Sequence, residues 1–84
     1  LYRLAAEQGL PSAQYALGWM YANGKGVGQD HVRAHMRFSL AANKGNNNAK
    51  KWRISISKKM TPEQITQAQS LAIECEERSY KNCD

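Results

Sequence analysis

At 84 residues the chain is one domain or part of one, and so small a core is marginal when it stands alone. Its net charge of +5 points to nucleic acid, an anionic surface or an acidic protein only where the cations share one face; otherwise they form a solvated helix face. No apolar run approaches the roughly 20 residues of a membrane span, and no cluster of residues suited to catalysis stands out.

The chain opens on Leu1, as an excerpt or a processed product would. Leu1 to Gly9 carries Arg3 and Glu7 and lacks the apolar centre of a signal peptide, so any export signal would lie upstream. Leu1 to Gln8 reads as the end of a helix that Gly9 terminates. Pro11 suits a first helical position. Ser12 to Ala22 is then a helix, with Ala13, Ala16, Leu17, Met20 and Tyr21 forming a stripe at helical spacing. Tyr15 and Trp19 fall off that stripe and are expected to point outward, as candidate partner contacts or as cover for a preceding repeat. Asn23 and Gly24 stop the helix. Lys25 to Gln29 is a loop anchored by Val27, and Asp30 stands where a helix N-terminus favours negative charge.

His31 to Lys44 is the next helix, with Ala34, Phe38, Ala41 and Ala42 facing inward. Asn46 to Asn48 reads as a polar turn, and Ala49 to Lys59 as a helix carrying Trp52 and Ile56. Thr61-Pro62-Glu63-Gln64 is a capping box with Pro at the first helical position. Its helix continues through Ile65, Ala68, Leu71, Ala72 and Cys75, and the crowd of Glu74, Glu76 and Glu77 disfavours extension.

An internal repeat links these elements. Tyr2, Leu4, Ala5, Ala6, Gly9 and Ala13 recur 36 residues later as Phe38, Leu40, Ala41, Ala42, Gly45 and Ala49. Such a period belongs to helix-turn-helix arrays, in which each unit covers the apolar stripe of its neighbour. The segments then divide as 1–9, the end of one repeat; 10–45, a complete repeat; and 46–84, a terminal repeat with a capping helix. Two copies stacking through the cut first repeat would make a homo-oligomer.

The string Ala13-x-x-x-Leu17-Gly18-x-x-Tyr21-x-x-Gly24-x-Gly26-Val27-x-x-Asp30-x-x-x-Ala34 resembles the signature of Sel-one-like repeats, a branch of the tetratricopeptide-like helical repeats. Ala34-His35-Met36-x-Phe38-x-Leu40-Ala41-Ala42 and Met60-Thr61-Pro62-Glu63-Gln64-Ile65 are similar to bacterial members near their C-terminal end. The resemblance implies an all-α fold, an α/α superhelix built as a right-handed solenoid of antiparallel helix pairs. It implies an adaptor that holds a protein partner, often in a cell-envelope or signalling setting, with no catalytic residues and no cofactor. The terminal unit departs from the pattern, with Lys51-Trp52-Arg53 standing where Tyr15-Ala16-Leu17 stands one period earlier.

Gly24, Gly26 and Gly28 follow a helix, and no Gly-Lys-Ser/Thr comes after them, so they read as a turn rather than a phosphate cradle. His31 and His35 have a spacing that zinc accepts, but no third ligand is evident, and packed or surface histidines are expected instead. Cys75 and Cys83 are either two free thiols or a disulfide; an even pair with nothing left over fits an oxidising compartment, periplasmic or secreted. Nearby glutamates disfavour a thiolate, so no redox activity is expected. From His31 to Pro62 there is no acidic residue. The basic stretch Arg33–Lys59 therefore offers a second function, binding an anionic surface or nucleic acid, although no aromatic interleaving or nucleic-acid recognition motif supports it.

Overall fold

The computed structural model describes residues 2–83. The sequence reading places Leu1 in the first helix, Asp84 among the C-terminal acids and the ring of Tyr2 in the repeat pattern; all three lie outside what is described. The described residues form five helices: α1 (Tyr2–Glu7), α2 (Pro11–Asn23), α3 (His31–Asn43), α4 (Asn47–Ser57) and α5 (Pro62–Glu77). No strand occurs among the described residues. The fold is all-helical, as the repeat implies.

The 36-residue period extends to the backbone hydrogen bonds. Leu10 N–H donates to the Ala5 carbonyl (3.3 Å) and Gly9 N–H to Ala6 (2.9 Å); one period later Asn46 N–H donates to Ala41 (3.1 Å) and Gly45 N–H to Ala42 (2.9 Å). Both helix ends close this way because Gly9 (φ 75°) and Gly45 (φ 93°) are left-handed, a conformation without penalty only where there is no Cβ.

Helix starts follow local chemistry. The Asp30 carboxylate accepts from Arg33 N–H (3.0 Å), and the Asn46 side chain accepts from Ala49 N–H (2.9 Å). Asn46 is therefore an N-cap, and α4 begins at Asn47, two residues ahead of the sequence reading. The capping box forms in full: Gln64 N–H donates to Thr61 Oγ1 (3.1 Å), and Thr61 N–H donates to Gln64 Oε1 (2.9 Å).

α2 and α3 pack antiparallel. Gln14 meets Arg37 toward one end, while Asp30 N–H donates to the Tyr21 carbonyl (3.0 Å) at the other. The two helices approach closely at Gly18, where a Cβ would lie 2.7 Å from Cδ1 of the buried Phe38 ring. The main core joins Tyr21, Ala34, Phe38, Ala41, Ala49 and Ile56 across α2, α3 and α4.

α3 is the axis of the molecule. The sequence reading gives it a single inward face, but Met36, Arg37 and Leu40 are buried as well. Met36 and Leu40 meet α5, which lays Ala72 and Cys75 on them, whereas Arg37 faces α2. α5 packs on α3 rather than on α4, the helix that precedes it. Physically, Ala68 and Ala72 give α5 a small-residue face that admits close approach to α3, whereas α4 turns half-buried Arg53 toward α5.

Candidate partner-binding surface

On the side of α2 away from α3 lies an apolar groove of about 620 Å³, lined by Ala5 of α1 and by Ala13, Tyr15, Ala16, Trp19 and Met20 of α2. Trp19 stands on its rim, 39% exposed. Tyr15 corrects the sequence reading, because it is half-buried rather than outward. Its ring packs against Phe38, with centroids 5.9 Å apart, while it also borders the groove. Apolar stripes on helices are broader than strict heptad spacing implies, and Tyr15 sits at the edge of this one.

The repeat supplies a template for what such a groove accepts. Shifted by one period, Ala5, Ala13 and Met20 become Ala41, Ala49 and Ile56. Those three are buried in the α3–α4 junction, in the cluster that Tyr21 joins and against which Tyr15 and Ala22 pack. Helix α2 thus fills, one unit on, the site that the α1–α2 groove presents open. The groove residues Ala5, Ala13 and Met20 are missed when helices are read singly; the signal for them is the alignment of the chain on itself.

A buried polar relay ties three helices together. The Arg37 guanidinium donates to Gln14 Oε1 (2.8 Å), and Gln14 Nε2 donates to the Ala6 carbonyl (2.9 Å). Gln14 is fully buried, and Arg37 is 4% exposed. Burial lowers the Arg37 pKa from its ordinary range, though a guanidinium keeps its charge near neutrality. Arg3 adds a bond to the Tyr21 hydroxyl (3.2 Å). Neither Gln14 nor Arg37 is legible as interior from polarity alone.

The basic stretch Arg33–Lys59 does not form one surface. Arg33 is paired with Asp30 (3.1 Å), Arg37 is interior, and Lys44 holds its ammonium 5.1 Å from the centre of the Tyr80 ring. The outward cations that remain cluster on and just past α4, a patch shorter than the sequence suggests. His31 and His35 also diverge. His31 borders a small cleft beside Trp52, whereas His35 is buried, with Ser39 Oγ 3.4 Å from its Nδ1. Burial, reinforced by the nearby Arg53 charge, lowers the His35 pKa from 6.5. Among the described residues, no three His, Cys, Asp or Glu side chains converge.

Past α5 the chain folds back, and Cys75 and Cys83 form a disulfide, with Cα atoms 5.1 Å apart. Ser79, Tyr80 and Asn82 all take positive φ (54°, 67° and 56°), which is costly for residues with a Cβ. The loop seats Tyr80 on the α1–α2 turn, so close that a Cβ at Gly9 would lie 2.7 Å from its ring.

A family model for the Sel1 repeat matches residues 1–10 and 11–46, more than half of the chain. No curated protein matches it.

Proposed function

The chain belongs to the Sel1 repeat family, and on that premise we propose that it is a protein-interaction scaffold whose α1–α2 groove receives a helix. Sel1 repeats are in general helical protein-interaction modules. One observation carries the reading: Ala5, Ala13 and Met20 occupy the same repeat positions as Ala41, Ala49 and Ile56, which α2 itself covers. The occupant is an apolar helix that presents small and aromatic side chains as α2 does. Tyr15 and Trp19 are its contacts, with Trp19 the anchor, because a half-exposed indole beside an apolar groove gains most from being covered.

In this reading residues 10–45 are one complete unit of a right-handed array, between the end of a preceding unit and a terminal unit over 46–84. The chain carries no catalytic step and needs no cofactor. The Cys75–Cys83 disulfide supports an oxidising compartment, periplasmic or extracellular. No described helix is long and apolar enough to cross a membrane.

The probe is at hand in the chain. A helix-stapled peptide with the sequence of residues 11–23 is titrated into the isotopically labelled chain. Shifts are expected at the Ala5, Ala13 and Met20 methyls and at the Trp19 indole, and Trp19→Ala should weaken binding at least about tenfold. Binding that ignores Trp19→Ala, or no shift at about 1 mM peptide, refutes the groove as the docking site.

A further inference from the structure

Two aliphatic side chains far from the groove are left wet. Ile54 on α4 is 60% exposed, and Ile73 on α5 is 57% exposed. Lysines surround Ile54, and glutamates predominate on the helix around Ile73. Lys50, Ile54 and Lys58 form an i, i+4, i+8 row, with Lys51 three residues before Ile54. These lysines are exposed, and none is within ion-pair distance of a carboxylate among the described residues. On α5, Glu76 and Glu77 lie three and four residues beyond Ile73, and Glu74 adjoins it. Glu76 accepts from Asn43 (3.2 Å), and Glu74 meets Arg78 at 3.7 Å in an exposed pair, a kind of contact easily exchanged. α4 and α5 flank a groove of about 310 Å³, with Arg53 on one side, Ile73 and Glu76 on the other, and Ser39 and Asn43 between them.

We propose that this α4–α5 face binds a second copy of the chain. A twofold axis through the groove sets α4 of each copy on α5 of the other. Ile54 then covers Ile73 of the second copy, and the lysine row faces its glutamates. Twofold symmetry forms the contact twice, so every charge row finds its complement. Charge complementarity selects this occupant. A nucleic acid or an anionic membrane would meet the lysines and be repelled by the glutamates beside them. One isoleucine per helix is also too little apolar surface to insert into lipid. The net charge of +5 opposes close approach of two copies, so the association is weak and depends on orientation.

Charge reversal with rescue tests the proposal. The chain is studied by sedimentation at up to about 1 mM, alongside Lys50→Glu/Lys58→Glu and Glu74→Lys/Glu77→Lys. The wild-type mass should rise toward two copies, each double variant should stay monomeric, and their equimolar mixture should pair again. Circular dichroism confirms that each variant keeps its helices. Ile54→Ser, which changes no charge, should weaken association at least about tenfold, while Trp19→Ala should leave it unchanged. A wild-type chain that stays monomeric, reversed variants that associate as well as wild type, or a mixture that does not pair would overturn it.

Discussion

Gly18 shows how little of a close contact is visible at the level of one residue. In an isolated helix Ala is better than Gly by about 1 kcal/mol, so Gly18→Ala looks stabilising on paper. Here its methyl would meet the Phe38 ring at 2.7 Å, and Phe38 is fully buried with nowhere to move. Overpacking of this kind costs about 1–3 kcal/mol. Gly18→Ala should therefore lower stability by up to about 2 kcal/mol net in urea denaturation, and a Phe38→Leu background should recover most of the loss. His35 gives a pH signature. Its folded-state pKa is below the ordinary 6.5, so the unfolded chain takes up the proton first. The resulting penalty is absent well above that value and grows as pH falls through it. The thermal midpoint should drop between about pH 7 and pH 5, and His35→Gln should flatten that drop. A slope unchanged by the substitution would place the proton elsewhere. The Gly18 contact lies within a string that marks the family, whereas the burial of His35, Gln14 and Arg37 is illegible. Polarity alone does not mark such residues as interior: the convergence of α1, α2 and α3 buries Gln14 and Arg37, while His35 lies near Arg53 of α4.

Helix boundaries were legible where the cause is local. Thr61, Pro62 and Gln64 define the start of α5 without help from the rest of the fold. Thr61→Ala should cost about 1 kcal/mol. Hydrogen exchange checks it at Ile65, whose N–H donates to the Thr61 carbonyl (3.0 Å): its exchange should quicken more than that of amides in α3. The start of α4 was misplaced because three consecutive asparagines offer three caps, and only the register of Ala49 against the core selects Asn46. What α5 packs against was not legible at all. That choice depends on Met36 and Leu40, on a side of α3 that its apolar stripe does not mark as interior. The α1–α2 groove fell between these cases. Its small residues stood in the repeat, but their shared exposure appears only once two helices are set side by side.

Across the whole molecule, the C-terminal loop reaches both ends of the repeat. Tyr80 rests on Gly9 on one side and lies beneath Lys44 on the other, so one ring touches equivalent turns of successive units. The disulfide holds the ring there. Cys83→Ser should cost about 2–3 kcal/mol, as expected for a short closed loop. Faster hydrogen exchange should appear at Gly9 and Leu10 as well as in the loop. If only residues 78–83 loosen, the clasp on the first turn is energetically idle. The seat of Tyr80 also makes the disulfide audible at a distance. The α1–α2 turn rests on a ring held by a bond far along the chain, so a reductant that opens that bond slackens the opposite end of the repeat, and the thiol poise of the surroundings reaches it through a single tyrosine.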